Sequence, residues 1–158
     1  MTKFPDALDV LENSESSYSG SYPYVLDAKG RLFVHPRYRK LLGDRFHIMK
    51  SINSKSLVLM STAEKQELDA KFRVIPQTAK GAWKTIRWLY AGIYECELDG
   101  QGRVLIPAEL RAYAGLNKNV TVLGAVSKLE IWDADLLRGE LEEVDEETRL
   151  AELADYGI

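Results

Sequence analysis

The chain is poor in the residues that most often carry chemistry. Its 158 residues include one cysteine, Cys96, and two histidines, His35 and His47. One thiol excludes an intramolecular disulfide and a cysteine-rich zinc site, and two imidazoles leave little for metal or triad chemistry. A Gly-rich phosphate loop, a paired-acid motif and metal-ligand spacing are all missing, so no enzyme, cofactor or metal is expected. Long apolar runs are missing too. The longest mostly apolar stretch, Trp88 to Tyr94, is far shorter than the roughly 20 residues that a bilayer-spanning helix needs. Met1 to Val10 holds acids and Pro5 in place of the apolar core of a secretory signal, so the expectation is a cytoplasmic protein with no membrane partner. At 46% hydrophobic and 28% charged, the composition suits one folded domain or two fused halves and excludes disorder throughout.

Charge is segregated along the chain. Residues 1–20 carry −3, residues 21–60 carry +6, residues 61–100 balance, residues 101–129 carry +3 and residues 130–158 carry −9, for a net charge of −3. The acids are banked at the two ends and the middle is basic. The mildly acidic total therefore does not argue against a polyanionic partner.

An internal repeat organises the middle. Residues 20–43 laid on 92–115 give eight identities in 24 positions: Gly20/Gly92, Tyr22/Tyr94, Leu26/Leu98, Asp27/Asp99, Gly30/Gly102, Arg31/Arg103, Arg39/Arg111 and Gly43/Gly115. Chance would give roughly one or two. Conservative pairs such as Leu32/Val104 and Val34/Ile106 agree, so the chain is a tandem duplication.

Each copy reads alike. The order Tyr94 to Asp99 has a period of two, placing Tyr94, Cys96 and Leu98 on one strand face, with Cys96 as a small core residue. An Asp-x-x-Gly turn follows, built on Asp27 with Gly30 and on Asp99 with Gly102, where the aspartate accepts turn amides and the glycine is free to take positive φ. The turn predicts a hairpin with strands at Arg31–Val34 and Arg103–Ile106. Pro36 or Pro107 then opens a short helix that Gly43 or Gly115 ends. Further strands are expected at Phe46–Lys50, Ser56–Met60, Val120–Leu123 and Lys128–Trp132. Between the copies, a Ser61/Glu64 capping box precedes a helix over Lys65–Phe72. A second helix carries Ala79, Ala82, Trp83, Ile86, Leu89 and Tyr90 on one face and ends at Gly92. Beyond Trp132, Asp133 or Asp135 caps a helix turning Leu137, Leu141 and Val144 inward, followed by a last acidic helix. The resulting division is an N-terminal extension (1–17), repeat 1 (18–60), a helical linker (61–91), repeat 2 (92–132) and acidic C-terminal helices (133–158).

The two segments Leu26-Asp-Ala-Lys-Gly-Arg-Leu-Phe-Val and Leu98-Asp-Gly-Gln-Gly-Arg-Val-Leu-Ile-Pro, each followed by Arg39 or Arg111 and a glycine, resemble the AbrB-like (SpoVT-AbrB) DNA-binding motif. With the linker and the Glu130-Ile131-Trp132 ending, residues 18 onward resemble the bacterial MraZ family of transcriptional regulators. His35 departs from the motif's proline, which follows at Pro36, and the first 17 residues have no family counterpart. The resemblance implies an α+β fold in which two β-rich repeats interlock as an intramolecular pseudo-dimer. It also implies ring-shaped homo-oligomers, nucleoid association, and binding to double-stranded DNA with repeated elements in a promoter of division and cell-wall genes.

Matching motif positions nominates Arg31, Arg39, Arg103 and Arg111 as DNA contacts, with Lys29 and Lys40 in the more basic first copy. Arginine can bridge phosphates or pair bidentately with guanine, whereas lysine serves as a point charge. A structural role stands beside this for each arginine. Asp27/Arg31 and Asp99/Arg103 could form ion pairs across the turn, and Arg39 and Arg111 could be solvated helix charges. A short helix in each copy reaches few bases, so contact per module is expected to be weak and useful affinity to come from linked modules. The competing function is an oligomeric scaffold or interaction module without specific DNA binding, in which the acidic tail docks on the basic middle.

Overall fold

The computed structural model describes residues 17–158. The extension expected over 1–17 lies, save Ser17, outside the described residues. Repeat 1 supplies β1 (Ser21–Val25), β2 (Arg31–Phe33), α1 (Pro36–Leu42), β3 (Arg45–Lys50) and β4 (Leu57–Ser61). The linker supplies α2 (Thr62–Arg73) and α3 (Lys80–Ala91). Repeat 2 supplies β5 (Tyr94–Glu97), β6 (Arg103–Leu105), α4 (Ala108–Ala114), β7 (Asn119–Ala125) and β8 (Lys128–Asp133), and α5 (Ala134–Glu142) and α6 (Glu146–Ala154) follow.

These strands build a six-stranded antiparallel sheet in the order β1-β7-β8-β4-β3-β5 and a separate ribbon of β2 with β6. The order is symmetric under the repeat. Each repeat contributes a hairpin, β3–β4 or β7–β8, and its first strand crosses to the edge of the other repeat's hairpin, β1 against β7 and β5 against β3. The fold is therefore α+β with the repeats interlocked, and neither repeat completes its sheet alone.

The expected hairpin across the Asp-x-x-Gly turn is corrected by this crossing. The turn itself forms, with the Gly30 amide donating to the Asp27 carbonyl at 3.0 Å and the Gly102 amide to the Asp99 carbonyl at 3.0 Å. The strands on either side then part. β1 joins the large sheet and β2 pairs with β6, because a three-residue strand with one buried side chain gains more by covering its equivalent than by extending a local ladder. Leu32 and Val104 face each other in register and are fully buried among Val34, Tyr38, Phe46, Ile106, Leu110 and Ile131. The Val34 amide reaches the Gly102 carbonyl and the Ile106 amide reaches the Gly30 carbonyl, both at 2.9 Å, so each repeat's turn closes the other's strand.

Helices α2 and α3 cover a second cluster, Met49, Val58, Met60 and Leu89. The capping box forms on both sides, and the helix starts earlier than expected, at Thr62. Tyr90 donates to Asp69, which also takes Lys65 at 2.8 Å, tying α2 to α3. Cys96 packs against the main core, and burial pushes its thiol up to about 11. His35 caps α1 and stacks on Tyr22, and His47 is half-buried, so each has a packing environment.

Smaller corrections have local causes. Pro107 is the N-cap of α4 and not its first turn, whereas Pro36 opens α1 as expected. Asp133 caps α5 and Leu137 is buried, but Leu141 in the last turn is exposed and Val144 falls beyond the helix, which ends at Glu142. Ala82, expected on the buried face of α3, is exposed.

Gly30 and Gly102 both hold positive φ, 82° and 76°, where a β-branched side chain is strained by about 1–3 kcal/mol. Gly30→Val is expected to lower stability by at least that amount. Ala28→Val, on the exposed neighbouring position, should stay within about 0.5 kcal/mol. Chemical denaturation of the two variants measures the difference, and equal midpoints would contradict the turn geometry.

Candidate nucleic-acid interface

The period of two along β2 and β6 sorts the ribbon into two faces. Leu32 and Val104 point into the core, which leaves Arg31, Phe33, Arg103 and Leu105 on the outer face, with Arg31 opposite Leu105 and Phe33 opposite Arg103. Both arginines of the duplicated motif thus come together on one surface. The sequence pairs each with its own turn, and the crossing sets both on one face of the ribbon.

Each arginine is oriented by its turn aspartate. Asp27 Oδ1 accepts the amides of Lys29 and Arg31, both at 2.9 Å, which leaves Oδ2 for Arg31 Nε at 2.7 Å. Asp99 does the same, accepting the Gln101 and Arg103 amides at 2.9 Å and Arg103 Nε at 2.9 Å. Arg103 Nη1 also lies 3.7 Å from Asp27 Oδ2, so one carboxylate spans both repeats. The ion-pair reading of these residues is correct, and it is compatible with contact to a ligand. Nε makes the shortest contact in each pair, and the Arg31 and Arg103 side chains remain 30% and 26% exposed.

Arg39 and Arg111 are not plain solvated helix charges. Arg39 Nε donates to its own repeat's Val34 carbonyl at 2.7 Å, and its guanidinium lies 4.8 Å from the Phe33 ring centroid. Arg111 Nε donates to the Ile106 carbonyl at 3.1 Å. Each guanidinium then crosses the repeat boundary. A Cβ on Gly102 would fall inside the Arg39 guanidinium, and one on Gly30 would sit 2.6 Å from Arg111 Cζ. The motif glycines therefore serve two ends, positive φ and close approach of the other repeat's arginine. An alignment of repeat on repeat matches Arg39 with Arg111 and Gly30 with Gly102, and so hides the cross pairs. Phe33, the surface on which Arg39 rests, carried no signal beyond β-propensity.

Lys29 and Lys40 are both exposed, on the first turn and on α1, and Gln101 and Ala112 occupy the equivalent places in repeat 2. The surface is thus more basic on the repeat 1 side. Among the described residues no group of three or more histidine, cysteine or acidic side chains is arranged to hold a metal ion. No helix among them is long and apolar enough to cross a membrane.

The backbone amide of Arg31, with the guanidinium and the Lys29 amide, holds the Asp27 carboxyl below its ordinary range, and the Arg103 amide leads the same effect on Asp99. A carboxyl lowered by folding contributes stability above its unfolded value that is lost as pH falls through the folded one. Carbon-detected carboxyl titration should therefore give both aspartates midpoints below 3.8, so that the turns stay charged and closed where free aspartate has begun to protonate. A midpoint at or above that value would contradict the geometry of the turns.

The chain is similar to known proteins over most of its length. Residues 89–154 match the family model described as "MraZ protein, putative antitoxin-like". A protein of Caldicellulosiruptor bescii named Transcriptional regulator MraZ is 42% identical over 113 residues, 72% of this chain and 78% of the relative. Proteins of the same name from Alkaliphilus metalliredigens and Thermoanaerobacter pseudethanolicus are 41% and 39% identical, over 75% and 74% of this chain and 82% and 81% of their own lengths. At this identity and coverage, with both Asp-x-x-Gly-Arg turns in one interlocked fold, the chain belongs to the MraZ family.

Proposed function

We propose that this protein is a transcriptional regulator that binds double-stranded DNA sequence-specifically through the outer face of the β2–β6 ribbon. The observation that carries the reading is the convergence of Arg31 and Arg103, one from each repeat, on a single exposed face with each Nε fixed by a carboxylate. A two-stranded ribbon fits the width of the major groove, and a guanidinium oriented at Nε can pair bidentately with guanine or bridge phosphates through its terminal nitrogens. The names of the relatives support the regulatory role.

In this reading Arg31 and Arg103 contact base edges or phosphate. Lys29 and Lys40 add phosphate contacts on one side, and Arg39 and Arg111 reach phosphate with the nitrogens that their carbonyl bonds leave free. Asp27, Gly30, Asp99 and Gly102 shape the turns. Repeats 18–60 and 92–132 act as one binding unit joined by the linker 61–91. About six cations give a modest, salt-sensitive affinity for one site, since each neutralised phosphate steepens the salt dependence by nearly one unit of log K on log salt. Linked units in a ring-shaped homo-oligomer, acting on repeated promoter elements of a division and cell-wall gene cluster, would raise that affinity through effective concentration. The corresponding location is cytoplasmic, at the nucleoid.

The test is binding to promoter DNA carrying one element or four at fixed salt. Arg31→Ala and Arg103→Ala should each cost about 1–3 kcal/mol per lost contact, multiplied on the four-element DNA, while melting temperature changes little. Wild-type protein should bind four elements far more tightly than one. Unchanged affinity in folded variants would contradict the assignment of the arginines. Equal affinity for one element and four would contradict the linked mechanism.

A further inference from the structure

A second basic surface is built on α3. Helix α3 has no acid in its twelve residues, and its solvent face carries Lys80, Lys84, Arg87 and Trp88. Trp88 is 45% exposed and meets Tyr113 edge to face at 5.6 Å. Lys50 Nζ sits 4.5 Å from the Trp88 ring centroid, and Lys55 Nζ sits 4.5 Å from that of Tyr113. Ile52, on the loop between these lysines, is exposed. Among the described residues, Lys50, Lys55, Lys80, Lys84 and Arg87 form no ion pair, although α3 lies beside the acid-bearing α2. The patch combines uncompensated positive charge with an exposed tryptophan, which suits a partner that is both acidic and apolar.

The chain itself supplies such a partner. Helix α6 buries none of its residues, and Leu150 and Leu153, three apart on one face, are 70% and 48% exposed. Glu146 and Glu147 lie one turn before Leu150 and flank that apolar pair. Residues 140–158 contain eight acids and one basic residue, Arg149. None of these eight acids forms an ion pair among the described residues. The arrangement is the complement of the patch: two leucines between carboxylates against a tryptophan and an isoleucine between cations.

We propose that the α6 face of one copy docks on the α3 patch of a second copy. Leu150 and Leu153 then cover Trp88 and Ile52, while Glu146 and Glu147 meet Lys84, Arg87 and Lys50. Patch and tail are different surfaces, so the contact is head-to-tail and propagates until it closes into a ring or extends as a filament. The apolar pair argues for a protein helix over nucleic acid, because a phosphate backbone would leave Trp88 and Ile52 uncovered. The inference rests on the linked-unit part of the proposed function and names the surfaces that do the linking. It uses no residue of the ribbon.

The test uses the full chain in light scattering at moderate salt, with folding checked by circular dichroism. Lys84→Glu/Arg87→Glu reverses the patch, and Glu146→Lys/Glu147→Lys reverses the tail. Each double variant should have a mass lower than wild type by at least about twofold at the same concentration. An equimolar mixture of the two should regain most of the wild-type mass, because each variant's tail then opposes the other's patch with the correct sign. Affinity for a single-element duplex should be unchanged in both. Wild-type mass in both double variants would overturn the proposal. So would a mixture that recovers nothing, which is the outcome of docking within one chain, or a patch variant that loses DNA affinity at unchanged mass, which is the outcome of a nucleic-acid surface. Failure of wild type to bind any duplex would instead count against the DNA reading, and the mass measurements would still decide the docking.

Discussion

The pairing of Arg31–Phe33 with Arg103–Leu105 is a contact that neither repeat can make alone, and most of the molecule follows from it. A three-residue strand offers too few ladder bonds and one buried side chain, far below what an isolated hairpin needs in water. Crossing the chain solves both shortages. Leu32 meets Val104 over the core, the two turn carbonyls take the Val34 and Ile106 amides, and the displaced first strands find edges on the opposite hairpins. The six-stranded sheet with its symmetric order is the consequence of that exchange.

The same constraint fixes the electrostatics of the surface. Two arginines that lie 72 positions apart in sequence share one ribbon face, and Asp27 reaches both. Their aspartates accept three bonds each from the turn, which leaves them charged and geometrically fixed. Arginines held at Nε present their remaining nitrogens with part of the ordering cost already met by the fold. Arg39 and Arg111 add a mechanical link, since each occupies the space that a side chain on the other repeat's glycine would need.

Much of this was legible in the sequence because duplication doubles each signal. The eight identities at a constant offset locate both turns and both short helices, the Asp-x-x-Gly spacing anticipates positive φ at Gly30 and Gly102, and the α+β class follows from the resemblance that the repeated motif carries. The Ser61/Glu64 box and the Gly92 stop marked the linker helices. The crossing was not legible from the residues. A period of two tells which face of Tyr94, Cys96 and Leu98 is buried but not which strand lies alongside, so a local hairpin was the simplest reading. The cross-repeat arginine–glycine contacts were hidden for the same reason, being relations between unlike positions of unlike copies. Leu141 shares a helical face with the buried Leu137, but it sits in the last turn of α5 and is exposed, which periodicity alone does not tell.

The proposed function requires both turns to engage DNA together. Hydrogen–deuterium exchange of the full chain, free and bound to a duplex with repeated elements, measures this directly. The account predicts slowed exchange in two separate stretches, 27–34 and 99–106, to a similar extent and at the same DNA concentration, with the α3 segment 80–91 unchanged by DNA. Slowing in one stretch alone, or in α3 with neither turn affected, would contradict it.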